Sequence, residues 1–433
     1  MANLLLSASG FFSSVLYIGL AICVLLFMIM IHELGHYTAG KILKFKINEF
    51  SIGFGKAIFS RTKKSGEKFS LRIFPLGGYC AFEGEDEDKA DNPEAFNSQK
   101  PWKRLIVLFM GAFFNFLSAI IFAVIFLMAF GYNDRVQVKE IQTPTYVQEQ
   151  SLPWLKEGDV IHAVNGKETN FVYDEYFVTM VANYDVGEDF VVSVYRDGED
   201  LDITIQKSWF NCASKFDATE NKTLFALDGV NYNYYIEKDG DNYKVHNKNT
   251  PTGQTFTTNE EGLVTVKFVT EAGTAQETFF VEELAGGEIT ISSAKIGVIT
   301  QNYRYGFFKA LGASFRFCFG WAWKILMILW QLISGQIAIT NMGGTVTTIV
   351  TIAEVTQTNI ASLLLLIPLI SINLAVFNLL PFPALDGARM VFVLIEWIRR
   401  KPINRKVEGT IHFIGLLALL LLVVIIDILH FVI

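Results

Sequence analysis

Three ionisable residues, His32, Glu33 and His36, close the apolar run CVLLFMIMIHELGHY. Titratable groups at membrane depth are costly and are mostly kept for function. Their spacing is HExxH. On a helix, positions i and i+4 share one face about 6 Å apart along the axis, so both imidazoles can grip one ion. Glu33 follows the first histidine, where its carboxylate can take a proton from a water on that ion. Zinc suits such a pair and lowers the pKa of the water to about 7, which makes a nucleophile at neutral pH. The plainer alternative is two interfacial histidines beside a glutamate that reaches for water. Gly35 and Tyr37 fit close helix packing and an interface anchor, without chemistry.

A zinc site of this kind needs a third protein ligand and one open position. The candidate is Asp386 in NLLPFPALDG, where Pro381 and Pro383 break a helix and Gly387 permits a turn. The competing reading of Asp386 is a turn aspartate. Asn373 and Asn378 lie in the same apolar segment. They could bind a substrate backbone or a developing oxyanion, or equally join helices by hydrogen bonds. The donor set favours zinc and also accommodates cobalt or iron.

The elements that must carry these residues are membrane helices. The 433-residue chain is 51% hydrophobic and 14% aromatic, with net charge -7 and mean hydropathy +0.35. That excludes an ordinary soluble enzyme and fits a multi-span membrane protein with a soluble portion. No nucleic-acid partner is expected. Segments 11–31, 105–130, 360–380 and 411–433 are each long enough to cross about 30 Å of hydrocarbon. A fifth, 307–333, carries Lys309, Arg316 and Lys324 and reads as an amphipathic helix lying in the interface. The N-terminal run lacks a charged leader and reads as a retained helix. Cys23, Cys80, Cys212 and Cys318 are scattered and indicate neither a disulfide framework nor a cysteine zinc site.

Loop charge sets the orientation. Residues 37–72 hold nine Lys/Arg against two acids, and a basic cluster from Arg389 to Lys406 follows the third span. Both read as cytoplasmic. Residues 334–360 hold no Lys or Arg and read as external. The region 131–306, with 28 acidic and 14 basic residues, falls outside with its flanks. Both termini are then extracytoplasmic. Under this topology the first and third spans run the same way, so His32, His36 and Asp386 meet near the cytoplasmic face. The condition is that 307–333 does not cross.

The external region is β-rich. DVIHAVNG alternates and turns at Asn165-Gly166, and FVVSVYRDGEDLDITI reads as a hairpin about Asp197-Gly198. From 208 to 292 lie further strand-like pieces, including YNYYIE, LVTVKFVT and ETFFVEE.

HELGH, FSIGFG at 50–55, FPLGGY at 74–79, GAFFNF at 111–116 and NLLPFPALDG at 378–387, in this order, resemble the site-2 protease family. The likeness is to its bacterial intramembrane zinc metalloproteases with an extracytoplasmic PDZ domain. It implies that His32, His36 and Asp386 hold Zn2+ and that Glu33 is the general base. It implies that Gly53, Gly55, Gly77 and Gly78 belong to a cytoplasmic β-rich loop against which an unwound substrate helix can pair, with Asn378 and Asn373 as further substrate contacts. Asn115 matches a family asparagine and is read as structural. KEGDVIHAVNG resembles a PDZ core, although IQTPTYVQEQSLPWL before it lacks the usual small-residue run and 208–292 has no family counterpart.

The expected architecture is therefore about four transmembrane helices, a membrane-associated β-rich loop and an external PDZ-like domain. Its parts are a first helix at 1–40, the loop at 41–104, a second helix at 105–130 and the external domain at 131–306. An interfacial helix and external loop follow at 307–359, a third helix with its LDG end at 360–387, a basic segment at 388–410 and a fourth helix at 411–433. The resemblance implies a bacterial plasma-membrane protein that cuts single-span membrane proteins within their transmembrane segments. Trimmed anti-sigma factors and remnant signal peptides are the implied substrates, and an upstream site-1-type protease acts on the same substrate. The alternatives are a silent PDZ scaffold and a metal or proton transporter. A scaffold has no use for Glu33, and transporters carry paired broken helices where this chain has one.

Overall fold

A computed structural model of the chain describes residues 8–85, 92–143, 148, 153–227, 229–250, 253–270, 273–338, 343–359 and 362–432. Most of the acidic run 83–91 and much of 141–155 lie outside the described residues. The chain divides into two compact units, 1–131 with 304–433, and 132–303.

The first unit carries helices α1 (Ala8–Ile42), α2 (Pro101–Ala129), α3 (Phe307–Ile333), α4 (Thr345–Thr358), α5 (Ser362–Leu379), α6 (Asp386–Arg399) and α7 (Arg405–Val432). Strands β1 (Ile47–Thr62) and β2 (Lys68–Phe82) form a hairpin between α1 and α2. Among the described residues, α1, α2, α3, α5 and α7 are long and apolar enough to cross a membrane. α3 thus meets the criterion of length and composition in addition to the four segments expected to span.

α2 is the central post, packed by α1, α3, α5 and α6. Its polar residues join helices where lipid offers no partner. The Ser118 and Ser371 hydroxyls are 2.8 Å apart, and each donates to the Asn115 carbonyl at 2.8 Å. At the other end of this face, Arg104 and Arg405 each lie 2.6 Å from a different oxygen of buried Glu396. The Ile403 N–H also donates to Glu396, at 2.9 Å. One carboxylate thus ties the start of α2, the end of α6 and the start of α7. Asp427 on α7 accepts the N–H groups of Val346 and Thr347 at 3.1 and 3.0 Å, so it caps the start of α4.

The hairpin is bent. Ser51 pairs with both Tyr79 and Ser70, and Phe50 with both Cys80 and Phe69. Residues 49–52 are therefore flanked on two sides, and 78–82 lie along an edge. Phe45, Ile47, Phe82 and Phe96 seat the hairpin on Val107 and Leu108 of α2 and Val393 of α6. Each buried aromatic or isoleucine side chain contributes about 1.5–3 kcal/mol to that seating.

The second unit begins with a sheet in the order 298–303, 132–141, 160–164, 189–196, 199–206, with 167–168 paired to 160–164. Tyr303 pairs with Tyr132, so the chain enters and leaves the unit at one place. The hairpin about 197–198 forms with Arg196 opposite Glu199, and both turn residues have positive φ. Residues 208–295 build two further sheets of five and four strands around their own core, which includes Phe225, Val245, Val266, Phe279 and Ile291.

Candidate metal centre

His32 and His36 stand one turn apart on α1, with their Nε2 atoms 3.1 Å from each other. Asp386, the first residue of α6, places Oδ2 3.0 Å from His32 Nε2 and 3.1 Å from His36 Nε2. Both histidines are buried. These three side chains are the group of potential ligands whose donor atoms converge among the described residues. A tetrahedral ion with bonds of about 2.0–2.1 Å has donor–donor edges of about 3.3 Å, and three edges of 3.0 to 3.1 Å lie close to that. Two imidazole nitrogens and a carboxylate oxygen with space on the fourth side fit zinc.

The surrounding groups set which ring nitrogen is free. His36 Nδ1 meets the Val107 carbonyl at 2.8 Å and must donate there, so neutral His36 has its lone pair on Nε2. The Asn115 side-chain amide lies 3.4 Å from His32 Nδ1, and Asn115 Oδ1 is buried without another partner. Turned to His32 Nδ1–H, that oxygen would hold His32 in the same tautomer.

Glycines allow this approach. A Cβ on Gly111 would fall 2.4 Å from His36 Nε2 and 2.7 Å from His32 Cε1, and one on Gly35 would fall 2.1 Å from the Met110 carbonyl oxygen. α1 and α2 therefore meet backbone to backbone at the depth of the histidines.

A cavity of about 560 Å³ opens on the three donors and is lined by Glu33, Gly77, Gly78, Asn378, Arg389 and His412 among others. Glu33 stands beside the edge strand. A Cβ on Gly78 would lie 3.4 Å from its Cγ. The other expected substrate residues are elsewhere. Asn373 is exposed on α5. Gly53 and Gly55 sit at positive φ within β1, against Phe74, and shape the hairpin rather than line the cavity.

Several residues about the site were not assigned to it from sequence. Gly111 and Asn115, which touch the two histidines, are four apart on α2, a spacing that puts both on the face toward α1. Glu85 and Arg389 form an ion pair at the cavity wall. His412 is one of six histidines in the chain and lies in a helix apolar enough to span. An ionisable residue in such a place is itself a signal.

Comparisons with known proteins identify the family. The model of peptidase family M50 matches residues 20–422. A Campylobacter jejuni protein that carries the provisional name of zinc metalloprotease is 25% identical over 404 residues, covering 92% of this chain and 89% of the relative. A Fusobacterium nucleatum protein with the same kind of name is 28% identical over 418 residues, covering 94% and 96%. The regulator of sigma E protease of Haemophilus influenzae is 26% identical over 423 residues, covering 92% and 94%. With a family match that runs through both histidines, Asp386 and the helices that bear them, the chain belongs to peptidase family M50, the metalloproteases that use zinc.

Proposed function

We propose that His32, His36 and Asp386 hold the zinc and that Glu33 is the general base for peptide-bond hydrolysis inside a substrate's transmembrane segment. The observation that carries this reading is the convergence of the three donor atoms at 3.0 to 3.1 Å beside Glu33. When bound there, zinc supplies Lewis-acid chemistry, lowering a water's pKa toward about 7 and polarising a carbonyl. The Glu33 carboxylate takes a proton from the attacking water. The water oxygen bonds to the scissile carbonyl carbon, the C–N bond breaks, and Glu33 returns its proton to the leaving nitrogen.

A helix must unwind to be cut, and its freed backbone groups have no partner in lipid. The edge strand 78–82 lies along the cavity and offers main-chain pairing to an extended peptide. Asn378 lines the same cavity and would hydrogen-bond the same backbone.

The active site lies near the cytoplasmic face, both termini are outside, and 132–303 forms an extracytoplasmic PDZ-like domain with a β-rich insertion. The charge distribution supports this, and so do two contacts. The Tyr305 N–H donates to the Leu127 carbonyl at 3.2 Å, so α3 starts at the end of α2. Asp427, near the end of α7, caps the start of α4, so α4 begins at the end of α7 remote from His412. A crossing by α3 would demand a second crossing before Gly344. An α3 that lies along the interface demands none.

Substrates are single-span membrane proteins already trimmed outside, such as anti-sigma factors, or remnant signal peptides. The name of the Haemophilus relative supports a regulatory role, and the family resemblance implies a first cut by a site-1-type protease. The test compares wild type and Glu33→Gln in detergent on a pre-trimmed single-span substrate, with zinc assayed on both. Loss of cleavage by a factor of about 10²–10⁴ with zinc retained is expected. Undiminished cleavage by Glu33→Gln would overturn the assignment.

A further inference from the structure

The turn that delivers Asp386 is held by a residue far away in sequence. Between α5 and α6, Pro381 and Pro383 have no N–H to donate. The Phe382 N–H donates to the Leu380 carbonyl at 2.7 Å, and the Leu385 N–H to the Phe382 carbonyl at 3.1 Å. That leaves the Ala384 N–H, which donates to His412 Nδ1 on α7 at 3.0 Å. Ala384 has φ +90, a conformation an alanine adopts only when its surroundings hold it there. A Cβ on Gly415, one turn beyond His412, would fall 2.3 Å from Pro383, so α7 lies directly against the turn. The Phe392 ring, 5.5 Å from the His412 ring, closes the other side.

We infer that His412 is a positioning residue of the metal centre: by accepting the Ala384 N–H it holds the strained Pro-Ala-Leu turn and so sets where Asp386 Oδ2 meets the two histidines. The inference rests on the proposed role of Asp386 as a zinc ligand. It explains why a histidine occupies an apolar helix. Because Nδ1 must accept, the His412 proton sits on Nε2, which is buried at the cavity without a partner. His412 donates no ligand, so its effect on zinc passes through the turn alone.

Asparagine and glutamine separate this role from simple packing. Asn Oδ1 occupies the position of His Nδ1 along the side chain, whereas Gln Oε1 corresponds to Nε2. The experiment measures zinc retention against a competing chelator in full-length wild type, His412→Asn, His412→Gln and Asp386→Ala in detergent, with thermal melting of the zinc-loaded proteins alongside. His412→Gln is expected to hold zinc about 10–100-fold more weakly, the range for a group that orients a ligand. His412→Asn is expected to hold zinc within about threefold of wild type, with both variants melting alike. Equal zinc retention by His412→Gln and wild type would overturn the inference while leaving the ligand set intact. Equal loss in Asn and Gln would overturn it too, since only Asn restores the acceptor. Zinc held unchanged by Asp386→Ala would remove the ligand assignment and this inference together.

Discussion

Single residues decide whether the donors can meet. Replacing Gly111 with Ala inserts a methyl where His36 Nε2 lies 2.4 Å away. Gly111→Ala is expected to lose zinc and at least about tenfold in cleavage, as for other changes around a ligand. Metal analysis of the purified protein reads this, and full zinc content with unchanged cleavage would contradict it. Glu49 on the hairpin illustrates a different balance. Burial pushes its carboxyl up, but hydrogen bonds from Ser70, Arg72 and Tyr79 and the Arg72 charge outweigh this and bring it down to about 2. A depressed folded value means the contribution is complete above the ordinary carboxylate range and is lost as pH falls through about 2. Proteolytic nicking of the turn at 63–66 should therefore stay constant from pH 8 to 5, and Glu49→Gln should raise it at neutral pH. Equal nicking of both proteins at pH 7 would contradict the assigned network.

At the scale of elements, the edge strand and the Glu396 tie have separable consequences. A Cβ on Gly78 would lie 2.8 Å from the Ser51 carbonyl oxygen and 3.4 Å from Glu33 Cγ. Gly78→Ala is expected to lower kcat/KM about tenfold with zinc content unchanged, because it displaces the strand and not the ligands. A parallel loss of zinc would show instead that the strand supports the metal centre. Glu396 is buried with Arg104 and Arg405 on its two oxygens. Glu396→Ala leaves two buried guanidinium groups without it, and breaking a buried ion pair this way costs about 3–5 kcal/mol. A clear drop in melting temperature in detergent is the expected result. An unchanged melt would mean that water replaces the carboxylate at this junction.

At the scale of the whole molecule, the question is whether α3 crosses. With native cysteines replaced, single cysteines at Phe307 and Ile333 should both react with a membrane-impermeant thiol reagent added from outside. Labelling from opposite sides would make α3 a fifth span and would place the metal centre and the basic segment 399–406 on different grounds. Among the described residues, five helices meet the criterion of length and hydropathy. Those quantities are local to each helix, whereas the path of the chain depends on where its ends are held, by Leu127 at one and Asp427 near the other.

Much of the centre was legible in the sequence because its information is local. HELGH carries two imidazoles and a carboxylate within about one helical turn, and the proline break before Asp386 marks a chain forced out of a helix. Hydropathy marks the helices and alternation marks the hairpin at 189–206 for the same reason. What the sequence by itself did not determine were the contacts between distant elements. Asn373 and Asn378 are alike in type and share one apolar segment, yet only Asn378 lines the cavity, because five residues turn a helix by more than a quarter circle. The glycines of FSIGFG and FPLGGY look equivalent in sequence, and the bend of the hairpin alone puts Gly77 and Gly78 at the cavity and Gly53 and Gly55 away from it. Gly111 and His412 acquire their places only when α1, α2, the Ala384 turn and α7 are packed together. Such residues are defined by what stands opposite them, and that is a property of the tertiary structure.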